Sequence, residues 1–188
     1  MKCFLKKGMF KINEYYFSKD VHSATCEGLK KDKGLIGQDE FDIISRELGP
    51  KIKYLAVYDG HGINGKEAAQ LAKNQIRKQL IKDKKVLINL KDRKEAETYF
   101  TELFRKVQNK FSKKYKVYES SGTCIIAVLI LNSHCFIINL GDSRAIIGAK
   151  QGENKLAYQM SIDHKANRSD ERKRIEQCGG VVSCERNG

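Results

Sequence analysis

Two apolar runs joined by a very short turn constrain this chain more than any other feature. Residues 123–131 read TCIIAVLIL and residues 135–140 read CFIINL, with the turn signal Asn132-Ser133 between them. A link this short suits antiparallel neighbours, because a parallel pair needs a crossover of about a dozen residues or more. Gly141-Asp142 then turns the chain into a further short run at residues 145–148 (AIIG), and residues 155–160 are a candidate for one more strand. The second half is therefore expected to be an antiparallel meander.

The first half reads differently. Residues 15–18 and 41–45 are short strand-like pieces among glycine-containing turns, and residues 52–58 (IKYLAVY) form an apolar run rich in β-formers. That run is predicted to be a buried strand ending abruptly at Asp59-Gly60-His61-Gly62. A helix is expected from about Asn64, where Ala68, Ala72, Ile76 and Leu80 recur every four residues and give it one apolar face. A second is expected over residues 91–116, with Ala96, Phe100, Leu103, Phe104, Val107 and Phe111 on one side. A third spans residues 167–178; Asp170 and Glu171 in its first turn suit the helix dipole, and Gly179-Gly180 stops it. Strands, two helices, more strands and a short helix indicate an α+β layered fold rather than a doubly wound one.

Composition bounds the function. The 188 residues suit one domain with a real core. No stretch approaches the roughly 18 uncharged apolar residues of a membrane span, and the lysine-containing start MKCFLKKGMF has no apolar signal core. The expected setting is the cytosol or nucleus. Six cysteines, none in a C-x-x-C pair, read as reduced thiols rather than a disulfide or zinc framework. The net charge of +13 is carried by lysine clusters around residues 30–33, 82–85 and 110–116. Such fields attract phosphorylated partners or nucleic acid, but these clusters have no interleaved aromatic platform for stacking bases. Solvated lysine-rich faces account for them.

The chemistry gathers at strand ends. Asp59 follows a predicted buried strand and precedes glycine, an arrangement that holds a carboxylate rigidly in an open setting. Hard divalent cations select carboxylate and carbonyl oxygens, so Asp59 and the Gly60 carbonyl can serve one ion. His61 beside them is the residue type best suited to pass a proton near neutral pH. Gln38-Asp39, Asp142 and Asp163 lie at other predicted strand boundaries. Taken singly, D-G-H-G is more often a structural turn, and each aspartate an ordinary turn former.

Five ordered segments together resemble a known family. They are IGQDEF (36–41), LAVYDGHG (55–62), SGTCIIAVLI (121–130), INLGDSRAII (138–147) and DHKANRSDERKRIEQCGGVV (163–182). Their order and spacing are similar to those of the Mg²⁺/Mn²⁺-dependent serine/threonine phosphatases of the phosphatase 2C (PPM) family. The resemblance implies a single phosphatase 2C-like domain over residues 1–188, strongest from about residue 20. The implied fold is a β-sandwich flanked by helices in four αββα layers, here incomplete at the C-terminus. It also implies two Mg²⁺ or Mn²⁺ ions and a weaker third, with Asp59 bridging and Gly60, Gln38, Asp39 and Asp142 as further metal-side residues. His61 would be the general acid. Lys33 stands nearest to where the family often has a phosphate-binding arginine, and it lacks that fork. Phosphoserine and phosphothreonine in proteins would be hydrolysed by a metal-activated water, with phosphoproteins rather than membranes or nucleic acid as partners and a monomeric state. Two further metal-binding aspartates and the last strands are expected beyond residue 188. The alternative that follows is an inactive phosphatase-like interaction module.

Overall fold

A computed structural model describes residues 10–11, 23–24, 28–30, 34–113, 115–151 and 153–183. The strand expected at residues 15–18, and Lys33, lie outside the described residues. In chain order the elements are β1 (Phe10–Lys11), β2 (Gly28–Lys30), β3 (Gly34–Ile36), β4 (Glu40–Ile44) and β5 (Ile52–His61). Then come α1 (Gly65–Lys82), α2 (Lys84–Leu87), α3 (Arg93–Ser112) and α4 (Tyr115–Tyr118). The second half holds β6 (Gly122–Leu131), β7 (His134–Leu140), β8 (Ile146–Gln151), β9 (Asn154–Gln159) and α5 (Ser169–Gln177).

Antiparallel pairing joins five strands in the order β1-β7-β6-β5-β4, and β2-β3 and β8-β9 form two-stranded ladders. The β6–β7 hairpin forms as the sequence indicates. Leu131 pairs with His134 across Asn132-Ser133, and Asn132 takes the left-handed backbone (φ 51°) that so tight a turn demands. The architecture is α+β, antiparallel sheets flanked by helices.

Side chains alternate along β5, and the register fixes which of them share a face. Ile52, Tyr54, Ala56 and Tyr58 face the same way as Leu131, Leu129, Ala127 and Ile125 of β6. On that face α1 adds Ala69, Ala72, Ile76 and Leu80, and α3 adds the stripe from Ala96 to Val107. Both helices thus bury the faces that their periodicity marks. Helix α3 starts where the Asp92 side chain accepts the Glu95 N–H at 2.9 Å while the Glu95 carboxylate accepts the Lys91 N–H. It stops at Ser112, short of the expected residue 116. Phe111 instead packs edge-on against Tyr118 of α4, so the chain folds back once the apolar stripe runs out.

A second difference matters more for function. Strand β5 does not stop before Asp59 but continues through Gly60 and His61, still paired with Thr123 and Gly122 of β6. Gly62, with φ of +84°, makes the turn instead. Gly60 keeps strand geometry, and its missing side chain serves another purpose. A Cβ there would fall 2.3 Å from the Gly65 carbonyl oxygen and 2.6 Å from that of Gln38. Glycine lets the start of α1 and the approach to β4 close directly onto the strand.

Candidate active site

Continuation of β5 sets the site. Asp59 and His61 are two residues apart on the face away from α1 and α3, opposite Cys124 and Gly122 of β6. The His61 ring lies over Gly122, where a Cβ would come within 2.8 Å of Nε2; the imidazole is exposed. The turn after His61 is braced from two sides. Gln38 Nε2 donates to the Gly62 carbonyl at 2.7 Å, and Ser121 Oγ accepts the Asn64 N–H at 2.9 Å.

Three of the sequence-predicted carboxylates converge here. Burial raises the Asp59 carboxyl above its usual range, and the charges of Asp39 and Asp142, with a side-chain hydrogen bond to Asp39, raise it further. Asp39 sits on the segment entering β4, where its backbone carbonyl accepts from Lys66 Nζ at 3.1 Å. Asp142 sits in the turn after β7, where Asn139 Nδ2 and the His164 N–H donate to the Gly141 carbonyl and the Gly141 N–H donates to His164 Nδ1. Burial lowers the pKa of His164, which keeps the ring able to accept that bond.

Other candidates fall elsewhere. Gln38 engages its amide nitrogen with the Gly62 turn, so it braces the loop that carries the site. Asp163, a strand-end acid in the sequence, pairs instead with Arg144, whose Nε donates to it at 3.0 Å. That pair holds its carboxyl below the ordinary range and ties the Asp142 turn to the segment before α5. Cys124 carried no signal in the sequence beyond lying in an apolar strand. The structure puts its thiol between Asp59 and Asp142, donating to Asp142 Oδ1 at 3.5 Å. Burial pushes this thiol up, the Asp142 backbone N–H opposes that, and the Asp142 and Asp59 charges add to the rise. Only pairing across β5, β6 and the β7 turn could have revealed it.

The donor set fits a hard divalent cation. It is all oxygen, and the like charges that raise Asp59 are the imbalance a cation would relieve. The fit is open rather than caged: among the described residues no three His, Cys, Asp or Glu side chains surround a common point.

Comparison with known proteins bears on this site. Residues 30–188 match the sequence profile of the family described as protein phosphatase 2C. The chain belongs to the protein phosphatase 2C family. Among curated relatives, rice "Probable protein phosphatase 2C 52" is 38% identical over 148 residues, covering 77% of this chain and 28% of that protein. "Probable protein phosphatase 2C 76" of Arabidopsis thaliana is 33% identical, with 77% of this chain and 32% of that protein covered. The chain thus spans about a third of the length of these protein phosphatase 2C relatives. The crystal structure of the Toxoplasma gondii serine-threonine phosphatase 2C shares the fold, with a TM-score of 0.65 at 19% identity over 80% of this chain and 52% of that one.

Proposed function

We propose that the protein hydrolyses phosphoserine and phosphothreonine esters of other proteins, using Mg²⁺ or Mn²⁺ held at the β5 end of the sheet. The observation that carries this reading is the convergence of Asp39, Asp59 and Asp142 beside an exposed His61 on one face, in a chain of the protein phosphatase 2C family.

Asp59 and Asp39 would hold the cations most directly, since the Asp39 charge bears on Asp59 more than that of Asp142 does. Asp142, whose charge also bears on Asp59, would add an oxygen from the neighbouring turn, and the Gly60 carbonyl a neutral one. When bound, two divalent cations supply Lewis acidity that activates water and offsets charge on phosphoryl oxygens. His61, two residues along the strand from Asp59, would give a proton to the departing seryl or threonyl oxygen. The rigid β5–β6 pairing holds Asp59 and His61 at a fixed spacing, so substrate and proton donor need little rearrangement. No side chain has to form a covalent intermediate. Nothing in the site favours the inactive-module alternative.

The test is hydrolysis of a phosphothreonine peptide with and without Mn²⁺. Turnover by the unmodified protein should depend on Mn²⁺ and fall about a hundred- to a thousandfold in Asp59→Asn, the size expected when an electrostatic stabiliser is lost. Metal-independent turnover, or an Asp59→Asn protein as active as the parent, would overturn the reading.

A further inference from the structure

We infer that Cys124 is a positioning residue for Asp142: its thiol fixes the direction in which the Asp142 carboxylate faces Asp59. The inference rests on the metal-side reading of Asp142 given above.

Three observations carry it. The first is register. Cys124 pairs with Asp59 across β5–β6, which places both side chains on one face and side by side. The second is the hydrogen bond from the Cys124 thiol to Asp142 Oδ1 at 3.5 Å. The third is packing. Gly141 has φ of +116°, and a Cβ there would lie 2.3 Å from the Cys124 sulfur and 2.6 Å from its Cβ. The turn that carries Asp142 is therefore laid directly on the Cys124 side chain.

Work is divided around this turn. Asn139 and His164 hold the Gly141 backbone through its carbonyl and its N–H. They fix where the turn is but not where the carboxylate points. Asp142 is exposed, so a free carboxylate would rotate about its side-chain bonds, and the thiol restrains that rotation from below. Loss of a partner that orients a metal-side carboxylate weakens metal binding without touching the ion itself.

The experiment uses the full chain with Cys124→Ala, Cys124→Val, Cys124→Ser, Asp142→Ala and the Cys124→Ala/Asp142→Ala pair. Mn²⁺ affinity is measured by electron paramagnetic resonance of the free ion, with the thermal midpoint of each variant recorded beside it. Valine fills the space with a somewhat larger apolar group and cannot donate, alanine loses both bulk and donor, and serine keeps a donor. Cys124→Val and Cys124→Ala are expected to weaken Mn²⁺ binding about tenfold, the low end for such partners because a thiol is a weak donor. Cys124→Ser should stay within about twofold of the parent, since its hydroxyl still donates. Cys124→Ala should add nothing once Asp142 is already alanine.

Weakened binding in Asp142→Ala with parental binding in Cys124→Val overturns the role of Cys124 and leaves the reading of Asp142 standing. Additive losses in the double variant, or a serine variant as weak as valine, also overturn it. Loss of the thermal transition in all three Cys124 variants would show a packing role alone and would overturn it equally. Parental binding in Asp142→Ala, or no Mn²⁺ binding by the unmodified chain, removes the metal-side reading and this inference with it.

Discussion

Beneath α1 and α3 the five-stranded sheet buries Ile76, Leu80, Phe100 and Leu129 completely, whereas at the β5 end of its opposite face Asp59 is half-buried under the like charges of Asp39 and Asp142. The helix-covered face pairs its charges. Glu40 meets Lys66 and Lys73 of α1, and Asp42 meets Arg77. The opposite face does the reverse: burial raises the Asp59 carboxyl, and two like-charged neighbours raise it further. On the same face Phe41 and Val57 remain about two-fifths exposed. One side of the sheet is arranged for stability, and the other holds an imbalance that a cation would relieve. Strain of this kind is what a site tolerates for the sake of binding.

Four measurements sharpen or break that contrast. The largest effect should come from Phe100→Ala, which opens a cavity in the helix-covered core and is expected to cost about 3–5 kcal/mol in denaturant unfolding. A cost under 1 kcal/mol would mean this face is not the stabilising one. Next is Arg77→Met. Asp42 is buried and its Oδ2 has no hydrogen-bond partner, so removing Arg77 leaves an uncompensated carboxylate at about 2–3 kcal/mol. Adding Asp42→Asn should recover part of the loss, and failure to recover it would show that Arg77 acts by packing alone.

The third concerns the opposite face. A raised carboxyl means that the fold disfavours its charged form, so the penalty is fully present above the folded pKa and absent below the ordinary value. With a chelator present, Asp59→Asn should therefore melt higher than the parent at pH 7, and the two should converge as the pH falls through the usual carboxylate range. A lower midpoint at pH 7 would contradict the like-charge picture. The smallest effect is expected at Glu40, on the paired face. Burial opposes its charge, but hydrogen bonds from Lys73, Lys66 and Gln70 outweigh burial and hold it at about 2. Its contribution is present above pH 4.5 and is lost as the pH falls toward 2. Glu40→Gln should lower the melting midpoint at pH 7, and that difference should close over the same window.

Much of this was legible in the residues. The β6–β7 hairpin followed from two apolar runs around Asn132-Ser133, and the stripes of α1 and α3 followed from their periodicity. Those patterns are local, and burial enforces them wherever the chain goes. The strand through His61 was not legible, because glycine beside aspartate reads as a turn until a neighbouring strand is seen to pair with it. The pairing of Asp163, which does follow a strand end, was hidden for a related reason: its partner Arg144 lies nineteen residues away in sequence.

By itself the sequence determined the family and named Asp59, Asp39, Asp142 and His61, because ordered motifs carry residue identity and spacing along one chain. Tertiary structure decided which of them share a face, that Gly60 serves close approach rather than an unusual backbone angle, and that Cys124 lies between two of the aspartates. These are consequences of strand register, a relation between segments distant in sequence whose side-chain facing changes completely with a slip of one residue.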